Sequence, residues 1–248
     1  MNERNTLPLT PNGSFDALVS SLREELGFAT ISHEEEKRQI ALELASRAKN
    51  DERIGVGSGS TAFLATVALA HRASILKLNI KVVTTSIEIT HLALSLGLNV
   101  TELSETKLDW CFDGADEVDP RNRLIKGRGG ALLREKMVLS NAKKAFILAD
   151  PSKRVERLGS RFPIPVEVLP EAIYPVKKAL YDLGATEVLL RKAGTSKDGP
   201  VLTEHGNVLL DARFPNIEDR LEKDIKGIVG VVDSGLFALY PQIEIIGC

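Results

Sequence analysis

Arg53-Ile-Gly-Val-Gly-Ser-Gly-Ser-Thr61 runs from four residues of strand character straight into a turn rich in glycine and hydroxyls, and the residues that follow continue as a helix through Thr66 to Ala70. A strand that turns through glycines into a helix is a recurring joint of parallel α/β sheets. There the N–H groups of the turn and the positive end of the helix favour an anion. The segment lacks the Gly-Lys-Ser/Thr ending of a P-loop and is not a full dinucleotide fingerprint. Taken alone it admits two readings: a phosphate cradle built from Ser58, Gly59, Ser60 and Thr61, or a structural glycine turn of the kind common in this architecture.

Working outward, strand and helix signals alternate. Ser32 with Glu35 forms a capping-box pattern that predicts a helix over 32–50. Strands are expected over 80–84, 108–112 and 145–149, and helices over 88–96 and 131–142. This order predicts an α/β fold, a doubly wound and mostly parallel sheet covered on both faces. Ligands in such folds bind beyond the carboxyl ends of the strands, where residues 58–61, 113–116 and 150–153 all fall.

After Pro163 the rhythm changes. Strands near 166–169, 187–191, 201–202, 207–211 and 228–232, with helices over 175–183 and 217–225, predict a smaller ferredoxin-like α+β second domain. The expected organisation is an N-terminal extension over 1–31, a Rossmann-like domain over 32–162 and 234–248, and a lid or oligomerisation domain over 163–233. The extension holds two basic and four acidic residues, which argues against a transit peptide or a DNA-binding arm. A short amphipathic helix over 15–26, ending at Gly27, is expected there, solvated or packed at an interface.

Composition narrows the class. With 248 residues, 43% of them hydrophobic, the chain can bury one large core or a main core plus a smaller one. A net charge of -2 gives no reason to expect a nucleic-acid partner or an anionic membrane surface. No apolar run approaches the roughly 18 residues of a membrane span. Cys111 and Cys248 alone make neither a disulfide framework nor a zinc site, so a cytoplasmic location is expected.

Two further blocks carry the chemistry. Asp113-Gly-Ala-Asp-Glu-Val-Asp119 ends an apolar run, and Lys126-Gly-Arg-Gly-Gly-Ala-Leu-Leu-Arg-Glu-Lys136 follows it. Asp113 and Asp116 suit either proton transfer or a turn and helix cap. Four carboxylates, at 113, 116, 117 and 119, invite a divalent cation, but Lys126, Arg128 and the lack of a nearby histidine argue against one. Glu135 is more discriminating. Helical steps of 100° place it in the apolar sector of Leu132, Val138 and Leu139, so it is either salt-bridged or held for proton transfer. Its chain neighbours Arg134 and Lys136 do not face it, which favours a general base. His33, His71, His91 and His205 lie outside every block and read as surface or packing residues.

Together with Ala-Asp-Pro-Ser-Lys153 and Phe162-Pro-Ile-Pro-Val-Glu-Val168, these blocks resemble, in order, the type A ribose-5-phosphate isomerases, over residues 32–247. The resemblance implies Glu135 as the proton acceptor, Asp113 and Asp116 as its polar partners, and Lys126 with Gly127, Arg128 and Gly129 around the reacting end. It implies substrate contacts at Ser58, Gly59, Ser60, Thr61, Gly114, Ala115 and Lys153, with Lys37 as a candidate phosphate ligand, and it favours a homodimer. Many members carry threonine in place of Ser58 and glycine in place of Arg128.

The residue types fit that chemistry. Interconverting an aldose and a ketose needs a base that moves one proton between adjacent carbons, plus cations and amides that stabilise the enediolate. The expected ligand is a small sugar phosphate, with no cofactor and no metal. Two other readings stay open: an isomerase acting on a different sugar phosphate with the same fold, and a sugar-phosphate-binding regulator. The first includes amino-sugar-phosphate isomerase-deaminases, which are expected to use a histidine that these blocks lack. The second needs a helix-turn-helix for which residues 1–31 are too short and too acidic.

Overall fold

The computed structural model describes residues 14–23, 30–103, 107–194 and 198–247. Its contacts divide the chain into two compact units. One comprises Met1–Gly114, Val138–Pro151 and Gln242–Cys248; the other comprises Ala115–Met137 and Ser152–Pro241.

In the first unit, helices α1 (Phe15–Arg23) and α2 (Glu34–Ser46) precede β1 (Arg53–Val56), α3 (Gly59–Leu76), β2 (Lys81–Thr84), α4 (Ile87–Ser95), β3 (Asn99–Val100) and β4 (Trp110–Gly114). The second unit contributes β5 (Glu117–Val118), β6 (Leu124–Ile125) and the start of helix α5 (Leu132–Ser140), after which β7 (Ala145–Leu148) returns to the first. The sheet of the first unit is wholly parallel, and its last strand is β13 (Ile243–Ile246). Its order is β13-β7-β4-β1-β2-β3. The chain steps from β1 out to β3 and then returns to the other side of β1 at β4, so the sheet has its topological switch point between β1 and β4. Strand β7 is buried at every position, as expected where both faces of a parallel sheet are covered. Helix α3 is buried almost continuously over 61–70, which marks it as a central helix and not a surface one.

Phe15, Val19 and Leu22 recur on one face of α1 and join the core of this unit. The described part of the extension therefore packs as an amphipathic helix; the expected continuation to Gly27 lies outside the described residues. The capping box expected at Ser32 does not form. The N-cap of α2 is His33 in the left-handed region, without a side-chain cap bond, and the Ser32 hydroxyl instead accepts from the Lys37 ammonium at 3.3 Å. Glu34, Glu35 and Glu36 in the first turn complement the helix dipole in its place.

The second unit holds β8 (Ile164–Val168), α6 (Ile173–Asp182), β9 (Glu187–Leu190), β10 (Val208–Arg213), α7 (Leu221–Lys226), β11 (Val231–Ser234) and β12 (Leu236–Phe237). The sheet order β11-β8-β10-β9, antiparallel throughout, is the split-βαβ arrangement. Alternation assigns its two faces. Val166, Val168, Val188, Leu210 and Ala212 enter a core with Val176 and Leu180 of α6 and Ile225 of α7. Pro165, Glu167, Leu209 and Asp211 point to the opposite face. The strand expected at 201–202 is reduced to isolated bridges, Lys192 to Pro200 and Leu202 to Val208.

A second, three-stranded sheet of order β12-β6-β5 forms where no strand was expected at 117–118 and 124–125, and it takes up Leu236–Phe237, expected with the main domain. It groups 115–137 with the second unit, which also takes 152–162 and 234–241, where the expected boundary kept all three with the first. β6 pairs with β12, and the buried Glu117 carboxylate of β5 accepts the N–H groups of Gly159, Arg161 and Phe162 at 2.6, 2.6 and 2.8 Å. Among the described residues no helix is long and apolar enough to cross a membrane.

Candidate active site

The glycine turn of the first unit sits at the switch point. The Gly57 N–H donates to the Phe112 carbonyl at 2.8 Å. The buried Asp113 carboxylate accepts from the Ser58 N–H at 3.1 Å and the Gly114 N–H at 2.7 Å. A Cβ on Gly57 would stand 2.2 Å from that carboxyl group, so only glycine lets the turn lie against it. Asp113 is thus the orienter of the turn. Helix α3 starts at Gly59 with no acidic residue in its first turn. Lys37 of α2, 3% exposed, donates to the Ser60 hydroxyl at 3.2 Å, and Thr61 is buried one residue further. A buried ammonium and hydroxyls at a helix N-terminus form a place suited to an anion.

The second unit gathers the titratable groups. Asp116 precedes β5 and receives the Arg128 N–H on Oδ2 at 3.1 Å. Lys126, at the end of β6, is buried, and its ammonium lies 3.2 Å from Glu135 Oε2 on the first turn of α5, itself only 6% exposed. The same ammonium stands 5.8 Å from the Phe237 ring centroid. Arg134 pairs with Glu204, and Lys136 with Glu222 and Asp233, so the chain neighbours of Glu135 are engaged elsewhere. A buried ion pair of this kind is weak evidence for stability because desolvation offsets its attraction. It does hold both groups in fixed geometry.

Burial pushes the Asp116 carboxyl above the ordinary aspartate range and Glu135 adds to the rise, while Lys126, the Arg128 N–H and Lys153 pull against it. These opposing influences identify one neighbourhood for Asp116, Lys126, Arg128, Glu135 and Lys153. Gly127 takes a positive φ of 91°, and a Cβ there would lie 2.7 Å from that of Leu132, so glycine is required where the loop bends against α5. Gly129 is exposed and faces open space. Ala115 is half-buried in the link between the two aspartates.

The four-carboxylate cluster separates into roles. Glu117 is used up by the three N–H groups of 159–162. Asp119 accepts the Arg121 and Arg123 N–H groups and the Arg123 guanidinium. Among the described residues no group of three or more His, Cys, Asp or Glu is placed to hold a metal ion. His33, His91 and His205 are exposed and His71 is half-buried.

Sequence reasoning missed Arg191, which donates to the carbonyls of Gly127 and Arg128. It lies more than sixty residues beyond them and carries no motif.

A family model described as ribose 5-phosphate isomerase A (phosphoriboisomerase A) matches residues 81–248. Ribose-5-phosphate isomerase A of Thermosynechococcus vestitus is 44% identical over 215 residues, covering 85% of this chain and 90% of its own. The solved ribose 5-phosphate isomerase A of Methanocaldococcus jannaschii superposes with a TM-score of 0.83 at 39% identity, over 86% of this chain and 95% of its own. A D-ribose-5-phosphate isomerase solved in complex with phospho-erythronic acid gives 0.82 at 35% identity, over 87% and 95%. Fold and relatives together define an isomerase on a mostly parallel α/β sheet with an appended antiparallel unit. The chain belongs to the ribose 5-phosphate isomerase A family.

Proposed function

We propose that the chain interconverts D-ribose 5-phosphate and D-ribulose 5-phosphate, a step of the non-oxidative pentose phosphate pathway, through an enediolate. The observation that carries this reading is the buried Lys126–Glu135 pair beside an aspartate whose pKa burial has raised. Glu135 takes the proton from C2 of the open-chain aldose. The C–H electron pair forms the C1–C2 double bond, and the carbonyl pair moves onto O1. Lys126 and the amides of 127–129 stabilise the developing oxyanion. Glu135 then returns the proton to C1 while a proton passes from O2 to O1, a transfer suited to a carboxyl group such as that of Asp116, whose pKa burial raises. Asp113, with Gly114 and Ala115, orients the chain around the sugar hydroxyls. Ser58, Gly59, Ser60, Thr61 and Lys37 hold the phosphate, with Lys153 as a further cation.

The relatives named above support this reading, as does the neighbour's ligand, a phosphorylated acid whose carboxylate resembles an enediolate in charge and shape. We assign the enzyme to the cytoplasm as a homodimer. Incubation with ribose 5-phosphate should form ribulose 5-phosphate, and no ketose after prolonged incubation would overturn the assignment.

A further inference from the structure

In a split-βαβ unit the helices cover one face of the sheet. Here the opposite face, carrying Leu209 and Asp211, receives the glycine loop. A Cβ built on Gly130 would meet Leu209 at 3.5 Å, and Arg191, which follows β9, reaches the loop from the same face. The Arg191 guanidinium is paired with Asp211 through both its Nε and Nη2. Its Nη1 donates to the Gly127 carbonyl at 3.1 Å and the Arg128 carbonyl at 2.9 Å. All of these residues lie within the second unit.

Two consecutive carbonyls aimed at one nitrogen fix two consecutive peptide planes. In a trans peptide the N–H points opposite to the C=O. Holding the Gly127 and Arg128 carbonyls therefore turns the N–H groups of Arg128 and Gly129 away from Arg191, side by side. The first donates to Asp116. The second makes no hydrogen bond within the described residues, and its glycine faces open space. With the Arg128 N–H taken by Asp116, the Gly129 N–H is the oriented backbone donor left for an anion on this side of the loop.

We propose that Arg191, braced by Asp211, is a positioning residue that presets this loop, and the Gly129 N–H with it, for the enediolate oxyanion. The inference rests on the isomerase reading above. Position, not charge, is the larger effect. Asp211 neutralises the guanidinium, so its net field at the oxyanion is that of an ion pair, whereas the rigid fork is what sets two carbonyls at once. Lysine, a point donor on a flexible stem, cannot satisfy Asp211 and both carbonyls together.

The test uses the full chain. The wild type is first assayed with ribose 5-phosphate; absence of turnover and of phospho-erythronic acid binding overturns both the isomerase reading and this inference. With an active wild type, Arg191→Lys should lower kcat by roughly 10²-fold, the scale of a misplaced reacting geometry, with KM unchanged. Its affinity for phospho-erythronic acid should fall in step, while inhibition by inorganic phosphate stays at the wild-type value. Should Arg191→Lys unfold below the assay temperature, Asp211→Asn, which keeps the arginine but loosens it, carries the same comparison with a smaller loss. Wild-type kcat and analogue affinity in a folded variant would sink the proposal. So would an equal loss for the analogue and for inorganic phosphate, since that marks a general structural role.

Discussion

The turn at 57–61 and the loop at 126–130 are both glycine-rich and both present backbone N–H groups, yet they are held by opposite means. The first is built by regular structure. Strand β1 delivers it, the Phe112 carbonyl and the Asp113 carboxylate fix its start, and helix α3 continues it. The second follows a strand of only two residues and reaches α5 through Gly127 and Gly130 at positive φ. The Gly130 N–H closes a turn onto the Gly127 carbonyl at 3.0 Å, and side chains from elsewhere in the sequence, above all Arg191, hold that carbonyl and the next. A ready-made helix N-terminus suits a ligand group whose charge is constant, such as phosphate. A loop held by side chains can be set for a charge that exists only during the reaction, because each peptide plane is fixed separately.

The contrast predicts that damage near the loop at 126–130 reduces turnover and damage at the turn at 57–61 reduces binding. The largest effect should come from Glu135→Gln, which keeps shape and hydrogen-bonding capacity but cannot accept the carbon-bound proton. Positioned general bases contribute on the order of 10² to 10⁴ in rate, so kcat should fall by at least that scale with KM little changed. Losing the Lys126 partner's charge also removes a buried ion pair, so a thermal melt must accompany the assay. Exchange of the C2 hydrogen with solvent deuterium is the deciding measurement. Wild-type exchange in the folded variant would take the base role away from Glu135 and pass it to Asp113 or Asp116.

At the other loop, Thr61→Val removes a hydroxyl while keeping volume. A hydrogen bond to a charged group contributes about 1.5 kcal/mol or more, roughly tenfold in affinity. KM should rise by that factor with kcat unchanged, and inorganic phosphate should inhibit the variant correspondingly less. An unchanged KM would move the phosphate away from the turn and towards Lys153.

How much of this was legible in the sequence follows the same contrast. The turn at 57–61 could be read because strand, glycines and helix are contiguous, and the parallel sheet followed from alternation at 53–56, 80–84 and 145–149. The split-βαβ order was legible too, since each of its strands runs over four or more residues. Strands β5, β6 and β12 were not, because a two-residue strand leaves no period to detect. The cap at Ser32 failed because Lys37 engages its hydroxyl, a tertiary contact that overrides a local pattern. Glu135 could be singled out as a carboxylate on an apolar helix sector. Its partner Lys126, nine residues earlier across a glycine loop, was legible as chemistry but not as a contact. Arg191 and Asp211 gave no signal, because a guanidinium bonding to backbone carbonyls leaves no trace in the residues it holds.

The smallest expected effect separates two aspartates by the sign of their pH dependence. In the second unit, burial leads the rise in the Asp116 pKa, so the folded state binds this proton more tightly than the unfolded chain does. The resulting stability is present below the ordinary aspartate pKa of 3.8 and is lost as pH rises through the raised folded value. In the first unit, the Lys143 ammonium and the Arg53 N–H hold Asp109 below its ordinary value. Its contribution is present above 3.8 and is lost as pH falls through the lowered value. Both aspartates are replaced by asparagine and Tm is recorded against the wild type. From about pH 4 upward the Asp116→Asn variant should gain on the wild type, since it escapes the cost of ionising a buried carboxyl. The Asp109→Asn variant should gain only as pH falls below about 4, where the wild type loses its ion pair with Lys143. The second shift should be the smaller, because this pair is largely exposed to solvent and surface pairs contribute little. If both differences moved in the same direction with pH, Asp116 would be an ordinary ionised aspartate, and the proton transfer between O2 and O1 would need another carrier.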